Sequence, residues 1–310
     1  MTERNRLVCI LGPTASGKTS LAAHLAHAVG GEVISADSRQ VYRGMDIGTG
    51  KDLDDYEIDG DSIRHHLIDV ADPGDEYTVF DYQQAFLRLL PQIQNRNHLP
   101  ILCGGSGLYL DAVLSQYQFV PVERDEALRA KLADASHDEL VARLAALRPL
   151  HNKTDTEDHE RLVRAIEIAE ATNRNPGQAP AMPDLDRRIF GVRWPTDVLR
   201  RRIRRRLEAR LATGMIEEVA DLIAAGIDPD RLRAYGLEYR FIADHLAGRI
   251  DRQDLTEGLY RAICKFAKRQ RTWFRRMERR GTSIHWLDGA MPVEANLQTI
   301  CHQVGLARHG

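Results

Sequence analysis

The chain of 310 residues lacks the features that mark membrane proteins and zinc-stabilised proteins. No apolar run approaches the roughly 20 residues that a membrane-spanning helix needs, so we expect no contact with a membrane. The N-terminus, MTERNR, has no apolar core of the kind that a signal peptide carries, and we expect a cytoplasmic protein. The four cysteines lie far apart without a Cys-x-x-Cys pair, which argues against a structural zinc and favours reduced thiols.

A strong overall charge is also missing, because the formal net charge is −2. This balance hides an asymmetry along the chain. Residues 1–120 contain 9 Lys and Arg against 16 Asp and Glu, whereas residues 197–280 contain 21 against 13. A basic C-terminal part indicates either a polyanionic partner or a set of solvated helix faces. Taken alone, the charge favours solvated helix faces, since the surfaces of helices are normally charged.

One segment near the start has a pattern with a known chemistry. Residues 12–20 read GPTASGKTS and fill every position of G-x-x-x-x-G-K-[ST], the P-loop pattern. The backbone N–H groups of such a loop surround phosphate oxygens, Lys18 adds a point charge, and the Thr19 hydroxyl commonly helps to hold Mg²⁺. The candidate phosphate-binding residues are Gly12, Pro13, Thr14, Ala15, Ser16, Gly17, Lys18 and Thr19. A nucleoside triphosphate is the usual ligand of such a loop.

Short apolar runs alternate with helical stretches in the first half of the chain. The predicted strands cover residues 7–11, 32–36, 66–70 and 100–103, and one predicted helix spans 80–90 and ends before Pro91. This alternation predicts an α/β fold with a parallel sheet. Ligands bind beyond the carboxyl ends of such strands, which is where the P-loop, Asp37 and the glycine turn at Gly104 fall. The acid-rich residues 52–61 predict an exposed loop or hairpin.

The remainder of the chain is predicted to be mainly helical. Residues 124–173 predict one continuous helical stretch, residues 188–192 predict a late strand that returns to the sheet, and helices follow from Thr196 to about Arg280. We therefore expect a P-loop NTPase-like parallel sheet core with a helical insertion domain and a helical C-terminal part. The core would comprise residues 1–122 and 187–310, and the insertion would comprise residues 123–186.

Two further groups follow predicted strands. Asp37 begins the segment DSRQVY and stands where a reacting group belongs, although Asp and Ser also favour ordinary turns. The segment GGSGLY at 104–109 combines a glycine turn with the hydroxyl of Ser106, which can face a bound anion, although an ordinary strand-to-helix turn explains it better by itself. Residues that would sense a γ-phosphate are not evident, and this weakens the triphosphate interpretation.

Two C-terminal segments are strongly basic. A buried stripe is predicted by the spacing of Leu199, Ile203, Leu207 and Leu211. The arginines between them cover the other helix faces, and Arg202 and Arg206 flank the stripe, where a guanidinium suits bidentate contact with phosphate. Residues 265–276 interleave bases with aromatics at helical spacing. That pattern suits RNA, and it equally suits a helix whose aromatic side chains lie in the core.

Together these segments resemble the tRNA dimethylallyltransferases, also called tRNA isopentenyltransferases or the IPP transferase family, of the bacterial type. The resemblance rests on GPTASGKTSLA (12–22), ISADSRQVYRGMDIGTGK (34–51), GGSGLYL (104–110), ERLVRAIEI (160–168) and AKRQRTWFR (267–275). The pieces Asp-Ser-x-Gln-x-Tyr and Met-Asp-Ile-Gly-Thr are specific to this family among P-loop proteins. The chain departs from the usual pattern at Ser106, where most members have Thr, at Gly50 and at YGLEYR (235–240).

The resemblance implies a reaction. A dimethylallyl group moves from dimethylallyl diphosphate to the exocyclic N6 of the adenine that is 3′-adjacent to the anticodon in tRNA. The P-loop then holds a diphosphate, Asp37 is the general base, and Lys18, Mg²⁺ near Thr19, Ser106 and Arg206 stabilise the departing diphosphate. Mg²⁺ is the implied cofactor and dimethylallyl diphosphate the co-substrate. We also expect a monomer.

The resemblance further implies that the anticodon arm binds between the core and the helical insertion. The residues implied in tRNA contact are Asp37, Ser38, Arg39, Gln40, Ser106, Arg129, Glu160, Arg161, Leu162, Val163, Arg164 and Arg233. Arg161 and Arg164 lie on neighbouring positions of one helix face, while Glu160 and Arg164 equally fit a plain i,i+4 ion pair.

Two other enzymatic functions remain open on the sequence. An adenylate isopentenyltransferase would prenylate free AMP, ADP or ATP, but the long helical insertion and the basic C-terminal part argue against it. A small-molecule kinase or an RNA-stimulated NTPase is supported by the P-loop alone. An RNA-binding module with a vestigial loop is a non-catalytic alternative, which the intact Lys18, Thr19 and Asp37 oppose.

Overall fold

The structure is a computed structural model that describes residues 5–115, 122, 124–148, 159–174 and 182–307. Contacts divide the chain into two compact units, which are considered separately. The core unit consists of residues 1–116 and 184–310, and the insertion unit consists of residues 117–183. None of the described helices is long and apolar enough to span a membrane.

A six-stranded sheet organises the core unit, and all of its strand pairs are parallel. The strands, in chain order, are β1 (Arg6–Leu11), β2 (Gly31–Ala36), the hairpin β3 (Glu57–Ile58) and β4 (Asp61–Ser62), β5 (His65–His66), β6 (Leu99–Gly104), β7 (Asp186–Arg193) and β8 (His285–Asp288). The order across the sheet is β5-β2-β6-β1-β7-β8, and the hairpin stands apart from it. The predicted α/β fold with a parallel sheet is therefore confirmed.

Helices of the core unit cover both faces of this sheet. The described helices of both units are, in chain order, α1 (Lys18–Val29), α2 (Val79–Asn95), α3 (Gly107–Leu114), α4 (Glu126–Leu132), α5 (His137–Leu147), α6 (His159–Arg174), α7 (Thr196–Ala212), α8 (Met215–Ala224), α9 (Pro229–Tyr235), α10 (Leu237–Leu246), α11 (Arg252–Arg279) and α12 (Val293–Val304). Side chains alternate along a strand, so Leu7 and Cys9 of β1 join one apolar cluster while Val8 and Ile10 join the other. Helices α4, α5 and α6 form a separate apolar cluster in the insertion unit.

The prediction that a helix ends before Pro91 was wrong. Helix α2 continues through this proline to Asn95. Pro91 is exposed, whereas Ile93 is fully buried and extends the apolar stripe of the helix. A proline inside a helix removes a hydrogen bond and crowds the preceding turn. Burial of the last turn outweighs that cost here.

The prediction of one continuous helix over 124–173 was also wrong. Helix α4 ends at Leu132, and α5 begins after Ser136. The Ser136 hydroxyl accepts a hydrogen bond from the Glu139 backbone N–H, and the Glu139 carboxylate accepts from the Ser136 N–H, which forms a capping box. This reciprocal cap starts a new helix and interrupts the old one. Residues 149–158 of the predicted stretch lie outside the described residues.

The predicted strand over 66–70 is shorter in the structure than the apolar pattern indicates. Only His65–His66 pairs with β2, and both Leu67 and Asp69 have positive φ angles, of 61° and 56°. The turn brings the Asp69 carboxylate to the ammonium group of Lys51, which is 1% exposed. Satisfying this buried charge takes precedence over continuing the strand.

A buried carboxylate anchors the start of β2. Glu32 is fully buried, and its oxygens accept hydrogen bonds of 2.7 Å from both Nε and Nη2 of Arg96. They also lie 2.6 Å from His66 Nε2 and 2.7 Å from His98 Nδ1. Burial alone would raise the pKa of Glu32, but the hydrogen bonds from Arg96, His66 and His98 outweigh it and hold this pKa at about 2.

This lowered pKa makes the stability of the fold depend on pH. A carboxyl group with a depressed pKa stabilises the fold above its unfolded-state pKa of about 4.3, and this contribution is lost as the pH falls toward the folded-state value. We therefore expect Glu32→Gln to lower the free energy of unfolding at pH 7 by about 2–4 kcal/mol, since it leaves Arg96 without its charged partner. The deficit should shrink as the pH falls through the range from about 4.3 to 2. Urea unfolding at stepped pH measures it, and a deficit that stays constant over this range would contradict the assignment.

Candidate active site

Three loops meet at the carboxyl edge of the sheet. The P-loop (Gly12–Thr19) follows β1, Asp37 follows β2, and the turn Gly105–Ser106 follows β6. Strand β6 lies between the other two, and its Gly104 pairs with Leu11 on one side and with Ala36 on the other. A Cβ at Gly104 would collide with the Ala36 carbonyl oxygen, so only glycine allows the strands to end this close together. The structure thus brings the three groups together where the strand pattern predicts them.

The P-loop is held from outside by the C-terminal part of the core unit. Its Ala15 and Gly17 have positive φ angles of 61° and 86°. Trp194 Nε1 donates to the Ser16 carbonyl at 2.9 Å, and Arg202 Nε donates to the Ala15 carbonyl at 2.8 Å. The Arg202 guanidinium also stacks on the Trp194 ring, 4.4 Å from its centre. These contacts fix a loop conformation that an isolated segment would not keep.

A cavity of about 360 Å³ opens against this loop, and we call it the P-loop cavity. It is lined by Ala15, Ser16, Gly17, Lys18, Thr19, Asp52, Arg202, Arg205, Arg206 and Ala209. Four of these side chains are cationic and one is a carboxylate, so the cavity attracts anions. Burial lowers the pKa of Lys18, while the nearby charge of Asp37 opposes this shift. The hydroxyl of Ser16 is buried without a hydrogen-bond partner.

Arg206 reaches the P-loop from α7, where it flanks the buried stripe that the spacing of this helix predicts. Its Nη1 donates to the Thr14 hydroxyl at 3.3 Å, and its Nη2 is paired with the Asp52 carboxylate. Arg210, one turn further along α7, donates to the same carboxylate at 2.9 Å. Asp52 and Arg210 were not singled out from the sequence, because their role depends on α7 crossing the loop that follows Lys51.

Asp37 lies in a turn that is tied to Ser106. The Asp37 carboxylate accepts from the Arg39 backbone N–H at 3.0 Å. Ser38 donates its backbone N–H to the Ser106 hydroxyl at 3.0 Å, and the two hydroxyl oxygens lie 3.2 Å apart. Asp37 is half-buried and Ser38 is exposed. The turn interpretation and the reactive-group interpretation of Asp37 are therefore compatible, since the turn orients the carboxylate.

Gln270 joins the two glycine loops and was missed by sequence reasoning. Its side chain is 6% exposed. Oε1 accepts from the Thr14 backbone N–H of the P-loop at 2.9 Å, and Nε2 donates to the Gly105 carbonyl at 2.9 Å. The only sequence signal was its place in the segment AKRQRTWFR. A single amide thus sets the spacing between the P-loop and the Ser106 turn.

We expect Gln270→Leu to lower kcat/KM for the anionic ligand of the P-loop by about tenfold. The substitution removes the hydrogen bonds to both loops and changes the side-chain volume little. Buried polar groups left without partners should also lower the stability. Thr272→Val is the matched control, since its hydroxyl bonds only within α11, to the Lys268 carbonyl. Steady-state kinetics and melting temperatures measure both effects. If both variants lose the same small amount of activity, Gln270 does not position the loops.

Arg39 and Gln40 have structural partners in the core unit. Arg39 Nη1 donates to Glu238 at 3.0 Å, and its guanidinium lies over the Phe266 ring, 4.6 Å from the centre. Gln40 accepts from the Ser35 hydroxyl at 2.9 Å and donates to the Gly50 carbonyl at 2.9 Å. The loop at Asp46–Gly48 is held as well, because its three backbone N–H groups donate to the Glu218 carboxylate. These contacts give several residues of the segment 34–51, which carries part of the sequence resemblance, a structural role within the core unit.

The aromatic residues of 265–276 divide between two roles. Phe274 is fully buried, and Trp273 donates its Nε1 proton to Asp111 at 2.8 Å, so these two rings support the core interpretation. Phe266 is half-buried, and the guanidinium of Arg269 lies 5.7 Å from its centre. The bases of this helix remain partly exposed.

Two of the predicted RNA-contact residues of the insertion unit, Arg129 and Arg164, bind one buried carboxylate. Glu167 is 1% exposed and accepts from Arg129 at 2.7 and 2.9 Å and from Arg164 at 3.1 Å. Glu160 lies 3.9 Å from Arg129. Helix α6 also carries Arg161, Leu162 and Val163.

Leu162 and Val163 are 0% and 4% exposed, so their side chains pack in the core of the insertion unit. In the core unit, Arg233 donates to Asp244 at 2.6 Å. Contact of any of these residues with tRNA stays a prediction.

Comparison with known proteins agrees with the resemblance in the sequence. Residues 40–277 match the model of the family described as IPP transferase. A tRNA dimethylallyltransferase 1 of Geotalea daltonii is 53% identical over 299 residues, which cover 96% of this chain and 95% of the relative. A tRNA dimethylallyltransferase 2 of Bacteroides fragilis is 50% identical over 294 residues, which cover 95% and 96%.

A solved structure gives the same result. The full-length tRNA isopentenylpyrophosphate transferase of Bacillus halodurans superposes with a TM-score of 0.69 and 32% identity, covering 97% of this chain and 96% of that one. Its fold and the sequence matches agree over nearly the whole chain. The chain therefore belongs to the IPP transferase family, the tRNA dimethylallyltransferases.

Proposed function

We propose that the chain transfers the dimethylallyl group of dimethylallyl diphosphate to N6 of the adenine that is 3′-adjacent to the anticodon in tRNA. The observation that carries this proposal is that Asp37, at the end of the strand next but one to the P-loop, lies close enough to Lys18 of the P-loop cavity for its charge to act on the pKa of that lysine. A base and an anion site lie together there, as an alkyl transfer from a diphosphate requires. The identity of the two substrates follows from the family to which the chain belongs.

Asp37 acts as the general base. The exocyclic amine of adenine is a poor nucleophile, because its lone pair is delocalised into the ring. As the bond from N6 to C1 of the dimethylallyl group forms, the bond from C1 to the diphosphate oxygen breaks and its electrons leave with the diphosphate. The proton lost from N6 passes to the Asp37 carboxylate. The Ser38–Ser106 hydrogen bonds keep the turn in place.

The P-loop holds the diphosphate and stabilises its growing negative charge. Lys18 and Arg206 line the P-loop cavity, and the start of α1 adds the positive end of a helix dipole. Ser106 lies at the neighbouring strand end and can donate its hydroxyl proton. The triphosphate expected from the motif alone is thus replaced by the diphosphate of a prenyl donor.

Mg²⁺ fits the donors of this cavity. It prefers oxygen ligands and is commonly held by one or two protein groups together with substrate phosphates. The Thr19 hydroxyl would hold it, and once bound it would neutralise part of the charge on the diphosphate.

The RNA side of the proposal rests on the basic residues outside the cavity. We infer that Arg39, Arg129, Arg161, Arg164 and Arg233 face phosphates of the anticodon arm, because arginine offers several N–H donors at once. Ion pairs to Glu238, Glu167 and Asp244 orient four of these arginines, and each guanidinium has donors beyond them. The target adenine leaves its stack to reach Asp37. We further propose that the enzyme is a cytoplasmic monomer.

The test is the transfer of label from prenyl-labelled dimethylallyl diphosphate to three acceptors, which are unmodified tRNA, AMP and ATP. We expect label in the tRNA and none in the free nucleotides. A tRNA transcript with guanine in place of the target adenine is the matched control and should remain unlabelled. Label in AMP without label in tRNA would indicate an adenylate isopentenyltransferase, and phosphate release from ATP without prenyl transfer would indicate a kinase or an NTPase.

A further inference from the structure

Asp52 occupies an unusual place at the mouth of the P-loop cavity. It directly follows Lys51, and its backbone is left-handed, with φ 45° and ψ 56°. Asp and Asn adopt this conformation more readily than other residues with side chains. The side chain is 38% exposed and lines the cavity together with Lys18, Thr19 and Arg206.

The Asp52 carboxylate binds two arginines of α7 at once. One oxygen is paired with Arg206, and both oxygens accept from Arg210 Nη2, at 2.9 and 3.2 Å. Burial alone would raise the pKa of Asp52, but Arg206 and Arg210 outweigh it and lower this pKa, so the group is ionised at neutral pH. Two arginines therefore already share one anion.

The two arginines differ in their freedom to change partner. Arg210 has a side chain that is 13% exposed and lies so close to Gly50 that a Cβ there would collide with its guanidinium. Arg206 is 30% exposed, lines the cavity and also reaches the hydroxyl of Thr14. An incoming anion can therefore replace Asp52 as the partner of Arg206, while Arg210 stays paired with Asp52.

We propose that Asp52 competes with the diphosphate for Arg206 and so limits the affinity of the P-loop cavity for diphosphate. This inference rests on the proposed function. The carboxylate is paired with Arg206 in the P-loop cavity, where we expect a phosphate oxygen to meet this arginine, and it is the one negative charge among the described side chains that line the cavity. When diphosphate binds, Arg206 exchanges the carboxylate for a phosphate oxygen. When diphosphate leaves as product, Asp52 recovers Arg206, which favours release.

The test compares the binding of inorganic diphosphate, with Mg²⁺ present, to the wild type and to Asp52→Asn by titration calorimetry. Asn keeps the left-handed backbone and an oxygen that can accept from Arg210, so the fold is preserved. Without the competing charge, we expect the Kd for diphosphate to fall by about 5- to 10-fold. Product inhibition by diphosphate should strengthen by the same factor. Asp52→Gly, which also tolerates this backbone, should show the same direction.

Asp54→Asn is the matched control, since it removes the same charge at a position two residues further along the chain. The Asp54 side chain is exposed and does not line the cavity. Its Kd should stay at the wild-type value. Equal or weaker binding by Asp52→Asn would overturn the inference, because it would make Asp52 a support of Arg206 or of the metal. A wild type that binds no diphosphate at all would instead refute the proposed function.

Discussion

Replacing Asp37 by Asn should lower the rate of prenyl transfer by about 10²–10⁴-fold, the range that a general base contributes. Asn has nearly the same shape and keeps an oxygen that can accept from the Arg39 backbone N–H. It cannot take the proton that N6 loses as the new bond forms. The turn should therefore stay in place while the chemistry is lost.

Single-turnover kinetics with saturating dimethylallyl diphosphate and tRNA measure this step. Binding of tRNA, followed by fluorescence anisotropy, should change little, because the charges proposed to face the RNA backbone lie elsewhere. Ser38→Ala is a useful comparison, since it removes one hydroxyl from the Ser38–Ser106 pair but keeps the backbone hydrogen bond to Ser106. It should cost much less than Asp37→Asn. Turnover by Asp37→Asn at nearly the wild-type rate would remove Asp37 from the role of base.

Lys18→Ala should lower kcat/KM for dimethylallyl diphosphate by about 10²–10³-fold, as the loss of one group that stabilises developing charge does. Lys18 begins α1 and lines the P-loop cavity, so we expect its ammonium group to be close to the anion in both the ground state and the transition state. Burial lowers its pKa, and a bound diphosphate would favour its charged form again. The loss of kcat/KM should be larger than the loss caused by removing another positive charge from the P-loop cavity.

Arg205→Ala provides the matched control for Lys18→Ala. Arg205 lines the same cavity but is exposed, so its removal deletes one positive charge that solvent largely screens. We expect a loss of a few-fold, mostly in KM. If both variants lose activity to the same extent, the cavity acts through its overall charge and Lys18 has no special contact with the diphosphate.

The sheet and its reactive edge could be predicted because they depend on local patterns. A buried strand followed by GPTASGKTS has few structural interpretations other than a P-loop. The carboxyl ends of parallel strands also lie at one edge of the sheet. This placed Lys18, Asp37 and Ser106 at neighbouring strand ends without knowledge of the strand order. The capping box Ser136-x-x-Glu139 was also readable from the sequence and would have corrected the prediction of a continuous helix over 124–173.

The remaining parts of the site depend on contacts between distant segments. Gln270 meets Thr14 across 256 positions of the chain, and Arg210 meets Asp52 across 158. Neither contact leaves a periodic trace, because each depends on where α7 and α11 cross the sheet. Strand β8 was not predicted, for a different reason. It has only four residues, of which one is buried, so its apolar pattern is too short to recognise.

The proposed function requires the P-loop to hold a diphosphate while Asp37 faces the adenine. A crystal structure of the enzyme with unmodified tRNA and a non-reactive thio analogue of dimethylallyl diphosphate would show both groups at once. We expect the diphosphate in the P-loop cavity against Lys18 and Arg206, and the adenine N6 within about 2.6–3.2 Å of the Asp37 carboxylate. A diphosphate bound outside this cavity, or an adenine whose N6 lies beyond the reach of Asp37, would contradict the proposed function.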